Sequence, residues 1–106
     1  MLFDSHCHLQ FHQYDEDRDA IIADCKERGM NVLVVGCDTK SSEDAVHFAD
    51  IHDHIWATVG IHPTDSVEGF DEKKMKELCA SSKKVVAIGE TGLDYFHLPK
   101  DELARA

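Results

Sequence analysis

The chain has 106 residues, 42% of them hydrophobic, which is enough for one modest core burying roughly 65% of the unfolded surface, so a single domain over residues 1–106 is expected. Twenty-one acidic against 11 basic residues give a formal net charge of −10, which excludes a broad electrostatic surface for nucleic acid or an anionic membrane; contact with phosphate has to be made locally, in a cleft. Cys7, Cys25, Cys37 and Cys79 form no C-x-x-C pair and are too sparse for a disulfide scaffold, and no opening signal segment or long apolar run stands out, so a cytoplasmic protein without a membrane span is expected.

"MLF" starts a short strand that runs into "DSHCHL", residues 4–9. Residues 15–29, "DEDRDAIIADCKERG", read as a helix: acids crowd its start, Ile21, Ile22 and Cys25 share a face, and Lys26, Arg28 and Gly29 close it. "NVLVVGC" follows as a continuous apolar run, the pattern of a parallel strand with core on both sides. In "SSEDAVHFADIH" a serine caps a second helix, and Ala45, Phe48, Ala49 and His52 fall on one face. "IWATVGI" makes a third strand, "DEKKMKELCA" a third helix with Met75, Leu78 and Cys79 inward, and "KVVAIGE" a fourth strand. The "KDEL" at Lys100–Leu103 is internal and so is no carboxyl-terminal retention signal.

Strand alternating with helix requires right-handed crossovers and a parallel sheet, an α/β fold. The strands start near residues 2, 31, 55 and 85, a spacing of 24 to 30 residues that suits one βα unit of an eight-stranded barrel. A whole (β/α)8 TIM-type barrel takes about 250 residues, so the chain reads as its first half, exposing the apolar edges of the first and fourth strands. The rival is a small open sheet of four parallel strands with helices on both faces. Periodicity does not separate the two.

Polar residues gather where the strands end: Asp4, His6 and His8, then Cys37, Asp38 and Thr39, then His62 and Asp65, then Glu90 and Asp94. That edge is where parallel α/β folds bind ligands. In extended backbone His6 and His8 project to one side and converge on one cation, with Cys7 turned into packing and Asp4 placed to orient an imidazole. Glu90, flanked by Gly89 and Gly92, is costly at a buried strand end unless it holds a metal or pairs with a helix lysine. His62 is held extended by Pro63 and either meets an anion in the cleft or serves a structural turn; Asp94 suits a turn or cap. His12, His47, His52, His54 and His97 read as ordinary surface or hydrogen-bonded histidines.

"DSHCHL" at 4–9, "VGIHP" at 59–63 and "IGETGLDY" at 88–95 together resemble the TatD-like metal-dependent hydrolases, often described as TatD-type deoxyribonucleases. The resemblance extends through about residue 95 and implies a (β/α)8 barrel with two divalent cations at the carboxyl ends of the strands. It implies His6, His8 and Glu90 as metal ligands, Glu90 bridging the cations, with His62 and Asp94 near the site and Glu90 and His62 serving the reaction. The implied chemistry is hydrolysis of DNA phosphodiester bonds by metal-activated water, the cations supplying the local positive potential that the acidic surface lacks. Imidazole suits Zn or Mn and oxygen suits Mg, so Mg, Mn and Zn stay open. Two further histidines and an aspartate are implied on later barrel strands. Two alternatives stay open: an esterase acting on aminoacylated tRNA, and a non-catalytic half-barrel associating through its open strand edges as a homodimer or with a partner.

Overall fold

A computed structural model describes residues 1–68 and 71–96. Its elements alternate: β1 (Leu2–Cys7), α1 (Arg18–Glu27), β2 (Met30–Val35), α2 (Thr39–Ile51), β3 (Ile55–Val59), α3 (Glu72–Ser81) and β4 (Val85–Ile88). Short 3-10 segments lie at His12–Tyr14 and Pro63–Glu68. His97 and the "KDEL" stretch fall outside the described residues.

All four strands are parallel and stand in the order β1-β2-β3-β4. Right-handed crossovers that always step the same way put every helix on the same face of the sheet, whereas a doubly wound sheet reverses its order once and covers both faces. The sheet is therefore an arc of a (β/α)8 barrel, and the open-sheet rival is excluded.

The core shows the same one-sidedness. Val32 and Val34 of β2 and Ile55, Ala57 and Val59 of β3 meet Ile22 of α1, Ala45, Val46 and Ala49 of α2, and Met75 and Leu78 of α3 in one buried cluster. On the opposite face Leu33 and Trp56 are half-buried. Trp56 is covered there by the Phe3 ring at 5.8 Å and by the Lys84 ammonium, 4.2 Å from the ring centroid. The expected core on both sides of β2 holds on the helix side, and on the inner side Val35 and its β3 neighbour Thr58 are buried too, the side that barrel folds fill with layers of inward side chains. Leu2 and Phe3 on β1 and Val86 and Ile88 on β4 are more than half exposed, as the open edges require.

Helix starts differ from the sequence reading in two places. α2 begins at Thr39, capped by Asp38 rather than by a serine: the Asp38 carboxylate accepts from the Ser41 amide at 2.7 Å, and Ser41 Oγ accepts from the Asp38 amide at 3.0 Å. The serine is the reciprocal partner three residues in. α1 begins at Arg18, not at residue 15, because the Arg18 guanidinium is spent on the preceding loop, donating to the Leu9 carbonyl at 2.6 Å and the Phe11 carbonyl at 2.8 Å.

One irregularity aims the site. β1 pairs with β2 as Asp4↔Val32 and then Cys7↔Val34, so Ser5 and His6 together oppose Leu33 in a β-bulge. The extra residue reverses the inside-outside alternation. Cys7 then packs against the helix-covered core, while His6 and His8 turn to the barrel's inner side.

Candidate metal centre

His6 and His8 bring their Nε2 atoms to 3.3 Å from each other at the end of β1. The His8 ring is fixed from behind. Its Nδ1 lies 2.9 Å from the Val35 carbonyl, an acceptor, so Nδ1 carries the proton and Nε2 presents its lone pair. Phe11 stacks on the other side of the imidazole, centroids 4.5 Å apart and planes 11° from parallel. Gln10, buried, donates to the same Val35 carbonyl at 2.8 Å and to the Ser41 carbonyl at 3.3 Å, tying the loop after β1 to β2 and α2.

Glu90 has to come from three strands away, a separation of roughly 14 Å across a flat sheet. The chain after β4 solves this by folding over the end of β3: the Glu90 amide donates to the Gly36 carbonyl of the β2 end at 2.7 Å. That path crosses Gly60, where an added Cβ would lie 2.8 Å from the Glu90 carbonyl oxygen and from the Gly89 carbonyl carbon and oxygen. Gly60 is itself gripped by the buried Ser42 hydroxyl, which accepts from its amide at 3.1 Å and donates to its carbonyl at 3.2 Å. The Thr58 hydroxyl donates to the Gly89 carbonyl at 2.8 Å and holds the same crossing.

The carboxylate then sits between the imidazoles, Oε1 at 3.2 Å from His6 Nε2 and Oε2 at 3.9 Å from His8 Nε2. Burial, the largest single influence, pushes the Glu90 carboxyl up, but the hydrogen bond from the Cys37 thiol and then the nearness of His6, His8 and His62 outweigh it and leave the group below its ordinary value. The Cys37 thiol donates to Glu90 Oε2 at 2.9 Å. Burial first, then that bond and the Glu90 charge, push the thiol well above the usual range, so it stays protonated. Cys7, on the packed side, is pushed up to about 11, chiefly by burial.

His62 stands at the rim of a cleft of about 460 Å³ that it shares with His8, Phe11, Cys37, Asp38, Thr64, Asp65 and Glu90. Its amide donates to the Cys37 carbonyl at 2.6 Å, and its Nδ1 accepts from the Thr64 amide at 3.0 Å. The remaining proton therefore belongs on Nε2, which leaves His62 a free donor nitrogen at the cleft it lines. Asp4 does not orient an imidazole as expected. Its carboxylate accepts from the His6 backbone amide at 3.1 Å, because the bulge turns the His6 ring to the other face of the strand. Asp94 accepts from the Phe96 amide at 2.8 Å and so makes a turn. His12 faces Asp15, His47 lies against Phe48, and His54 meets the Ile22 carbonyl, all outside this cluster; burial and the neighbouring His54 depress His52.

The donor set suits a divalent cation. Nitrogen and oxygen donors of His6, His8 and Glu90 all lie within 4.8 Å of one another, and His8 is backed by a carbonyl as metal-bound histidines usually are. Among the described residues this is the group that gathers in that way. Sequence reasoning passed over Gln10 and Phe11, and gave Cys37 a place but no role. The signal for Cys37 was its position one residue past Gly36 at a strand end.

The family model for TatD related DNases matches residues 3–106. The chain is 42% identical over 106 residues to the metal-dependent hydrolase YabD of Bacillus subtilis, covering 95% of this chain and 41% of that protein. It is 38% identical over 96 residues to the 3'-5' ssDNA/RNA exonuclease TatD of Cronobacter sakazakii, covering 89% and 36%. The crystal structure of YjjV, a TatD homologue from Escherichia coli, superposes with a TM-score of 0.75 at 25% identity over 90% of this chain and 38% of that one. The chain thus spans about two fifths of the length of the curated relatives it matches.

Proposed function

Because the chain belongs to the TatD related DNase family, we propose that it is the amino-terminal portion, a single domain over residues 1–106, of a divalent-metal-dependent hydrolase barrel that cleaves phosphodiester bonds in nucleic acid. The observation that carries the reading is the convergence of His6, His8 and Glu90 on one point at the inner rim of the sheet. DNA is the first substrate to test, with single-stranded DNA or RNA next, since one relative is named a 3'-5' ssDNA/RNA exonuclease. A cytosolic setting fits the four free cysteines.

His6, His8 and Glu90 would hold the cation, and a second cation would take its remaining ligands from later barrel strands. Once bound, divalent ions supply Lewis acidity toward a phosphoryl oxygen and lower the pKa of water. Glu90, kept ionised by its neighbours, offers two oxygens to that centre. His62 lines the cleft with Nε2–H as its donor, which would suit a phosphate oxygen there. The acidic surface repels a polyanion in general, so binding depends on these few groups.

The test is metal stoichiometry by calorimetry on chelator-stripped chain, wild type against His6→Ala and Glu90→Gln, followed by cleavage of labelled single-stranded DNA. One to two bound Mn²⁺ in the wild type and loss in both variants support the reading. Unchanged binding in Glu90→Gln would sink the assignment of Glu90.

A second reading follows from the exposed Leu2, Phe3, Val86 and Ile88: a half-barrel that pairs with itself or a partner through its open edges. Sedimentation at micromolar concentration should then show a dimer that Val86→Lys with Ile88→Lys returns to monomer. A monomeric wild type removes this reading. The aminoacyl-tRNA ester alternative is tested by the same chain on such an ester in place of DNA.

A further inference from the structure

We infer that Cys37 is a positioning residue for Glu90, its thiol fixing by hydrogen bond the carboxylate orientation in which His6 and His8 meet it. The inference rests on the metal-centre reading above. Sγ lies 2.9 Å from Glu90 Oε2, the same oxygen that faces His8, while Oε1 is turned to His6. Thiol and carboxylate are held as one unit by the backbone. The Cys37 amide donates to Ser41 Oγ at 2.8 Å, its carbonyl accepts from the His62 amide, and the adjoining Gly36 carbonyl accepts from the Glu90 amide.

A glutamate side chain has three rotatable bonds that its backbone anchor does not fix, and here it is one quarter exposed. Without a second attachment it would sample orientations that turn an oxygen away from the imidazoles, at a cost to any cation. The thiol supplies that attachment. It is not among the donor atoms that gather within 4.8 Å of one another, so its part is to hold Glu90 and not to bind the ion.

The experiment uses chelator-stripped 106-residue chain titrated with Mn²⁺ by calorimetry, comparing wild type, Cys37→Val and Cys37→Ser, with circular dichroism to check the fold. Removing an outer hydrogen-bond partner of a ligand costs about 10- to 100-fold in affinity, and a thiol is a weak donor, so Cys37→Val should lose about tenfold. Cys37→Ser keeps a donor and should return to within about threefold of wild type. If Cys37→Val does not fold, Cys37→Ala takes its place with the same expectation. Cobalt(II)-loaded wild type should show no thiolate-to-cobalt charge-transfer band; such a band would make Cys37 a ligand and overturn the inference. Wild-type affinity in Cys37→Val, or a Cys37→Ser as weak as Cys37→Val, overturns it while leaving the metal centre standing. Wild type that binds neither Mn²⁺ nor Co²⁺ removes the metal centre, and this inference with it.

Discussion

Replacing Gly60 by alanine should disable the centre without touching a ligand. The new Cβ would stand 2.8 Å from the Glu90 carbonyl oxygen and from the carbonyl carbon and oxygen of Gly89, all backbone atoms with no rotamer to move. Ordinary carbon–oxygen contact needs about 0.6 Å more, so the strand β4 exit must retreat by about that distance. The retreat pulls on the Glu90 amide to Gly36 carbonyl bond, now 2.7 Å, and on the Thr58 hydroxyl to Gly89 carbonyl bond, now 2.8 Å. Overpacking of this kind costs about 1–3 kcal/mol and a buried hydrogen bond about 1 kcal/mol more, giving a loss of about 2–4 kcal/mol. Because Glu90 rides on the displaced segment, Mn²⁺ affinity should fall about 10- to 100-fold. Urea denaturation at constant slope and calorimetry measure the two effects. Gly89→Ala is the control: its Cβ would meet Thr58 Oγ1 at an ordinary 3.7 Å. A Gly60→Ala chain within about 0.5 kcal/mol of wild type and with full affinity, or a Gly89→Ala chain harmed equally, would refute the crossing argument.

Ser42→Ala removes a fully buried hydroxyl bonded to both the amide and the carbonyl of Gly60, and should cost about 1–3 kcal/mol in urea denaturation while speeding amide exchange at Gly60. Asp15 is held below the usual carboxylate range chiefly by its bond to Arg18, with His12 adding to it. A depressed folded value stabilises above the unfolded value and is lost as pH falls through the folded one. Thermal midpoints of wild type and Asp15→Asn should therefore differ at neutral pH and converge in strong acid, and a gap independent of pH would contradict this. Phe11→Leu, which removes the ring stacked on His8 but keeps an apolar cover, should weaken Mn²⁺ binding while leaving the circular dichroism spectrum unchanged.

Much of this molecule could be read before folding. Continuous apolar runs marked β2 and β3, and the helix faces of Ile22, Ala45, Ala49, Met75 and Leu78 followed from their spacing. The pairing of His6 with His8 was legible because a two-residue interval in extended chain puts both rings on one face, whereas the face they take is set by the bulge. Glu90 was legible because a charged residue closing an apolar strand needs a reason. Strand order was not, since barrel arc and open sheet share the same local pattern and differ only in which strands are neighbours. Nor was the thiol of Cys37 as a partner of Glu90: the two are 53 residues apart and meet because Gly60 lets the chain after β4 cross the end of β3 closely. Asp38 as a cap was missed because the run Ser41-Ser42-Glu43 offers a rival cap signal three residues on.

The bulge at Ser5 and His6 bears on how the histidine pair can be moved or lost. Grafting the segment from Asp4 to His8 onto a regular strand in the register Asp4 has here, without the bulge, would aim both imidazoles into the helix layer, so the portable unit is the pair together with its extra residue. Deletion of Ser5 alone would have the same effect here, swapping Cys7 for two histidines in an apolar layer that has no partner for them. Length variation in this strand is thus tolerable in steps of two and ruinous in steps of one, a parity rule that any loop-shuffling scheme for this scaffold has to respect.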